Sequence, residues 1–252
     1  MTTSTTQPAA TNVGFLRVGG GLVESVTDRL TEAVRIGFLS PGEQLPPETT
    51  LAQQLEVSTA TLREALATLR SRGLIETRRG RNGGSFVCRR SATTTAVLRS
   101  RLASHPIADI RDLGDEWLAI FSTAAMLAAS RADDAGIDRM NRLVDQLRDE
   151  TTLDRRARAL SKIHIEVALA SQSERLTRSE LRLQSEISDV FWTPPSPTSG
   201  LERIDVDAVA DECQAIVSSI TAEDPGAARE AAERRIRNAI DRLVAVSLSI
   251  QS

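Results

Sequence analysis

Residues Pro46 to Val87 read PPETTLAQQLEVSTATLREALATLRSRGLIETRRGRNGGSFV, and this stretch decides how the first third of the chain folds. Prolines are tolerated only at the first turn of a helix, so Pro46-Pro47 predict a helix start, followed by a short amphipathic run from Glu48 to Leu55 with Leu51, Ala52 and Leu55 on one side. Glu56-Val57-Ser58 is the turn, and Ser58 is a good N-cap for a second helix that runs to Arg72 and stops at Gly73. Its inner stripe is Leu62, Leu66 and Leu69. With that stripe buried, Thr59, Ala60, Arg63, Ala67 and Arg70 fall on the outer face, where a helix lying in a major groove presents side chains to base edges. Beyond Gly73, Leu74 to Thr77 and Ser85 to Val87 read as two short strands joined by the basic, glycine-rich tip Arg78 to Gly84. Such a hairpin can lay guanidinium groups on phosphates or into the minor groove.

Charge follows the same geometry. From Val57 to Arg90 there are eight arginines and two glutamates, a local charge of +6 in a chain whose net charge is −3. A basic patch that coincides with that outward helix face and the hairpin tip is the electrostatic footprint of a duplex-DNA partner.

Upstream, a first helix is predicted from Leu22 to Ile36, with Val23, Val26, Leu30, Ala33 and Val34 on one face. Downstream, helical periodicity recurs over Ala96 to Ala103, Ile110 to Arg131, Ala135 to Glu150, Leu153 to Ala170, Thr177 to Trp192, Val206 to Thr221 and Ala227 to the end. The breaks are Asp133-Asp134, Ser171 to Ser173, the Pro/Ser tract Thr193 to Gly200 and Asp224-Pro225-Gly226. The fold expected is mainly α: a disordered tail over 1–20, a winged helix-turn-helix over 21–88, a linker over 89–95, and an all-α bundle over 96–252 able to enclose a small-molecule cavity.

With those residues in view, positions 21 to 87, and above all LSPGEQLP and LREAL, resemble the DNA-binding domain of GntR-type bacterial transcription regulators. The remainder is similar to the helical FCD domain of that family's FadR-like, fatty-acid-responsive branch. The resemblance implies DNA contacts from Thr49, Ser58, Thr59, Ala60, Thr61, Arg63, Arg79, Gly80 and Arg81. Relatives often carry arginine where Thr49 and Thr59 stand; threonine lacks the fork that reads guanine, so the operator is expected to depart from the commonest family consensus.

FCD domains commonly hold a metal through one aspartate and three histidines, and that metal helps grip a carboxylate effector. In LDRRARALSKIHIEVALASQSERL, His164 keeps a histidine position while Leu160 replaces the aspartate; in ECQAIVSSITAEDPGAAREAAERRI, Cys213 and Arg235 replace the other two histidines. No cofactor is therefore expected, His164 and Cys213 being the residual metal candidates. Arg235 could pair an anionic effector directly, with His164 and Cys213 beside it and Trp117 and Phe121 as an aromatic wall. The plainer alternative makes His164 a satisfied helix histidine and Arg235 a surface charge near Glu233 and Arg234.

Other classes are excluded or set aside. Two histidines, no tyrosine, no phosphate loop in strand-to-helix context and no nucleophile elbow argue against an enzyme. No apolar run is long enough to span a membrane, the polar start MTTSTTQPAATN lacks a secretory pattern, and the two cysteines, Cys88 and Cys213, fall in different domains; a cytoplasmic protein with free thiols is expected. Because one recognition helix covers only a few base pairs, a homodimer on a pseudo-palindromic operator is expected. The function expected is a transcriptional regulator, a repressor whose operator binding responds to a small anion; the alternative is a ligand-independent regulator whose helical domain serves dimerisation only.

Overall fold

The leucine stripes, caps and prolines of the sequence build ten helices and one hairpin in a computed structural model that describes residues 23–39, 41–80, 83–88, 95–191 and 203–251. The proposed tail, Leu22, Arg81 and Asn82 of the hairpin tip, most of the linker, Trp192 and the Pro/Ser tract lie outside the described residues. The chain divides into two compact units, the first within positions 1–90 apart from Ile36–Phe38, which group with the second.

The first unit begins with α1 (Val23–Arg35), which buries Val26, Thr27, Leu30, Ala33 and Val34. Helix α2 (Glu48–Leu55) starts after Pro47 and buries Leu51, Ala52 and Leu55, and its turn into α3 is made by Glu56 in the left-handed region at φ 56°. Helix α3 (Thr59–Ser71) is capped by Ser58, whose side chain accepts from the Thr61 backbone N–H at 3.0 Å. Gly73, at φ 68°, then turns the chain out of the helix. Leu62, Ala65, Leu66 and Leu69 of α3 are buried and pack on α1 and α2.

Strands β1 (Ile75–Arg78) and β2 (Gly84–Val87) pair antiparallel, with Ile75 opposite Val87 and Arg78 opposite Gly84. The segment before α2 adds a third, irregular line to this hairpin, which the sequence did not announce. The backbone N–H groups of Gly42 and Leu45 donate to Val87 and Ser85 at 2.9 Å, and Gln44 Nε2 donates to the Gly83 carbonyl at 3.0 Å. The wing is thus tied at its base to the same segment that leads into α2.

The second unit contains α4 (Thr95–Ala103), α5 (Ile107–Ala128), α6 (Asp134–Asp149), α7 (Leu153–Ala170), α8 (Glu174–Phe191), α9 (Val206–Thr221) and α10 (Pro225–Gln251). Its core draws on α4 through α10, with Leu102, Trp117, Phe121, Met140, Val144, Ile163, Leu183, Ile216, Ile236 and Leu243 among the buried residues. The long helices α5 and α10 form the most extensive pairing. They approach so closely at Gly114 that a Cβ there would stand 2.7 Å from Ile240 Cγ1.

Two boundaries move for identifiable reasons. Helix α5 starts three residues before the predicted Ile110 because Pro106 serves as its N-cap, and it ends at Ala128 rather than Arg131. Asp224-Pro225-Gly226, expected to interrupt, instead begins α10: the Asp224 carboxylate accepts from the Ala227 N–H at 2.9 Å and Pro225 occupies the first turn. The actual break is just before it, where Glu223 takes φ 52°.

The hairpin yields a stability prediction. A Cβ on Gly83 would lie 2.6 Å from the Arg78 carbonyl oxygen, a backbone atom that cannot step aside. Gly83→Ala is therefore expected to destabilise the first unit by ~1–3 kcal/mol, read as a lowered midpoint in chemical denaturation; an unchanged midpoint would mean the tip rearranges freely.

Candidate functional site

The outer face of α3 is set by its inner one. Once the leucine stripe is buried, Ala60, Arg63, Glu64 and Ala67 are exposed, and Thr59, Thr61, Thr68 and Arg70 are half-buried. Arg63 retains 67% of its side-chain exposure and bonds Glu48 of α2 through Nε at 2.7 Å. That is its one hydrogen bond among the described residues. Thr49, on α2 next to Glu48, is also exposed.

Ser58 and Thr61 turn out to be occupied with one another. Their hydroxyls lie 2.9 Å apart, and the Ser58 oxygen caps the helix. On the wing, Arg78 is folded back, paired with Glu76 at 2.7 Å and stacked over Phe86 with its guanidinium carbon 4.3 Å from the ring centroid. Arg79 and Gly80 are exposed at the tip, Gly80 at φ 115°. The first unit therefore brings together α2, α3 and the wing as a surface carrying guanidinium groups; Arg81 falls outside the described residues.

The second unit holds a different kind of site. Trp117 and Phe121 on α5, His164 on α7, Cys213 on α9 and Arg235 on α10 are all buried, with exposures of 1%, 0%, 0%, 0% and 1%. Arg235 is thus not a surface charge beside Glu233; Glu233 instead pairs with Arg229 and Arg237 across one helical turn on the outside of α10. The Arg235 guanidinium has Nη1 3.4 Å from Glu212 Oε2 and lies over the Phe191 ring at 4.9 Å. Its Nε and Nη2 atoms have no hydrogen-bond partner.

His164 sits in the same core. Its ring stacks on Phe121 at 4.1 Å between centroids and sits tilted to Trp117 at 5.3 Å. Nδ1 is 3.3 Å from Glu180 Oε1, at the outer limit of a hydrogen bond, and Nε2 has no partner. Burial pushes the His164 pKa down, Glu180 pulls it up and Arg235 adds to the depression. Burial raises the Cys213 thiol, with Arg235 pulling the other way, and both cysteines are free.

Glu180 is the residue that sequence reasoning missed. It lies fully buried on α8, accepting from Trp117 Nε1 at 3.1 Å and Gln184 Nε2 at 2.8 Å through Oε1, while Oε2 has no partner. A signal existed: Thr177, Glu180 and Gln184, at helical spacing, form a polar stripe that faces inward.

These residues do not fit a resident metal ion. Leu160 is buried and apolar, and a cationic guanidinium occupies the interior beside Cys213, where it opposes a second cation. Among the described residues no three His, Cys, Asp or Glu side chains converge as a metal site.

Comparison with known proteins supplies the family context. Residues 22–87 match the model described as "Bacterial regulatory proteins, gntR family", and residues 118–238 match the FCD domain. The "Putative HTH-type transcriptional regulator RmpR" of Mycobacterium gastri is 37% identical over 89% of this chain and 81% of that protein. The "Putative L-lactate dehydrogenase operon regulatory protein" of Escherichia coli K12 is 30% identical over 83% of this chain and 81% of that one. A solved GntR family member from Pseudomonas syringae superimposes with a TM-score of 0.49 at 19% identity, covering 94% of this chain and 89% of its own.

The depressed His164 gives a pH dependence. In the unfolded chain its imidazole takes a proton near pH ~6.5, whereas the folded site resists it, so the unfolded state binds more protons as pH falls through that value and stability is lost. Between pH 8 and 5 the parent should lose more unfolding free energy than His164→Gln; parallel slopes would place the folded imidazole at its ordinary proton affinity.

Proposed function

The chain belongs to the GntR family of bacterial transcription regulators and carries an FCD domain, and from that premise we propose that it is a repressor that binds a pseudo-palindromic operator as a homodimer and responds to a small anion. Its activity is DNA-binding transcriptional regulation, not catalysis. Among the described residues no helix is long and apolar enough to cross a membrane.

The observation that carries the DNA reading is the outward face of α3. Arg63 is exposed and held by Glu48 at Nε, which fixes the direction of the guanidinium while leaving its far edge to reach a base. Exposed Arg79 on the wing supports a phosphate contact alongside. One such head spans too few base pairs for genomic selectivity, so two heads related by a dyad are needed. Repression asks only that the operator be occupied, for which a reading unit and a dimerising unit suffice.

The observation that carries the effector reading is the half-paired guanidinium inside the helical unit. Nε and Nη2 lie along one edge of a planar group, their N–H bonds parallel, and that edge matches the two oxygens of a carboxylate or phosphate. A buried charge left half-paired costs stability, and its retention favours a ligand over a domain that serves dimerisation alone. Such a ligand controls DNA binding only by favouring one arrangement of the two heads over another.

Recovery of bound genomic fragments with the purified protein tests the regulator reading, which requires a shared inverted repeat; fragments without a common motif would overturn it. On that operator, Arg63→Ala is expected to cost ~1–3 kcal/mol and to blur preference at one base pair. Arg79→Ala or Arg81→Ala should weaken all sequences evenly and flatten the salt dependence by about one ion. Glu48→Gln should leave the melting temperature nearly unchanged, since exposed pairs contribute ~0–1 kcal/mol, yet reduce discrimination between operator and random DNA because Arg63 is no longer aimed. Arg235→Gln should bind the operator like the parent while losing the response to small carboxylates and phosphates; a retained response would remove Arg235 from the sensing role.

A further inference from the structure

We infer that Gln44 is a positioning residue for DNA binding: its side-chain amide clamps the glycine turn beside Arg79, so that this wing cation meets a phosphate from a turn already set in place. This rests on the DNA-contact reading above and adds to it a residue that acts through the wing.

A two-stranded hairpin is marginal by itself, and this one pairs four residues on each side, ending at Arg78 opposite Gly84. Its tip includes Gly80, Gly83 and Gly84, residues with more backbone freedom to lose than any other type. Hydrogen bonds restrain that freedom from two sides. The Gly83 N–H donates to the Gly80 carbonyl at 2.9 Å, and the Gly83 carbonyl accepts from Gln44 Nε2 at 3.0 Å. Gly80 directly follows the exposed Arg79, so the turn that Gln44 closes from outside is the one that carries this cation. Gly84 makes room for the clamp, since a Cβ there would stand 2.7 Å from Gln44 Nε2.

Gln44 is itself held. Its neighbours Gly42, Glu43 and Leu45 exchange backbone hydrogen bonds with Val87 and Ser85 at 2.9 Å, and Gln44 forms a bridge with Phe86. Leu45 is buried, and Pro46 and Pro47, whose rings fix φ, lead directly to Glu48, which accepts from Arg63 Nε at 2.7 Å. Three residues, two of them proline, therefore separate the clamp on the wing from the clamp on the recognition helix. Positions 44 and 48 together set the spacing between a phosphate cation and a base-edge reader. Folding has little use for the amide, because Gln44 and its bond to Gly83 are exposed. Binding does use it: a long side chain on an ordered turn loses less freedom on docking than one on a loose loop.

The test titrates the full chain, over a range of salt concentrations, against two labelled duplexes of equal length: one carrying the inverted repeat recovered from genomic fragments, one of random sequence. Gln44→Met keeps the length of the side chain and changes no charge, yet removes the donor to Gly83. It is expected to melt close to the parent, to bind both duplexes about two- to tenfold more weakly, and to release about one ion fewer, as Arg79→Ala does. A purely structural role would leave the ion count unchanged. In a double-mutant cycle, Arg79→Ala should cost little more once Gln44 is Met, whereas the loss from Arg63→Ala should multiply with that of Gln44→Met. Gln44→Asn, a methylene shorter and so short of Gly83, should behave alike and carries the same tests if Gln44→Met folds poorly. The random duplex decides the matter even where no shared repeat is recovered. If Gln44→Met binds as the parent does, keeps the parent's ion count, or loses affinity in a way that multiplies with Arg79→Ala, the positioning role is overturned and the wing contact survives. If Arg79→Ala costs nothing on either duplex, both fall.

Discussion

A helix can turn only one face to the core, and in the reading unit the stripe Leu62, Ala65, Leu66 and Leu69 makes that choice. Everything functional about the unit is a consequence of it. Rotating α3 by one residue would bury Arg63 and expose a leucine; with the stripe where it is, Arg63 has nowhere to go but outward, and Glu48 on the neighbouring helix is positioned to catch its Nε. Ser58 holds the start of the helix, Glu56 makes the turn, and the Gly42 to Leu45 segment straps the wing alongside. The reading surface is built from ordinary packing of leucine and alanine.

The helical unit follows the opposite policy. Its core accepts a guanidinium, a carboxylate and an imidazole, groups that packing alone would have replaced with leucine. Some of their hydrogen-bonding capacity is met internally, through Trp117, Gln184 and Glu212, and some is left over. The leftover capacity lies at Nε and Nη2 of Arg235, Oε2 of Glu180 and the His164 ring.

The sequence disclosed the secondary structure well wherever a boundary has local chemistry. Helices α7 and α9 run over the residues predicted, Leu153–Ala170 and Val206–Thr221, because Thr152 and Asp205 are plain N-caps. Asp224-Pro225-Gly226 misled because the same three residues that break a helix also start one, and only the left-handed Glu223 before them decides which. Within the site, Trp117, Phe121, His164, Cys213 and Arg235 were each marked by sequence and are each buried in the helical core. Glu180 was hidden because a glutamate in a stretch as charged as Arg178 to Arg182 reads as solvated; the polar stripe it shares with Thr177 and Gln184 is local, but that the stripe faces inward follows from how α8 packs against α5 and α7. The Gln44 strap was hidden for the same reason, since it depends on a partner about 40 residues away.

The near-contact at Gly114 carries a consequence for how the helical unit can move. With no side chain at that position, Ile240 of α10 nests directly on the backbone of α5, leaving no slack between the two longest rods of the unit. Arg235 lies on one rod and Trp117, the hydrogen-bond partner of Glu180, on the other. So close a backbone approach resists sliding of one helix along the other, and Trp117, one turn from Gly114, and Arg235, little more than one turn from Ile240, flank that tight contact.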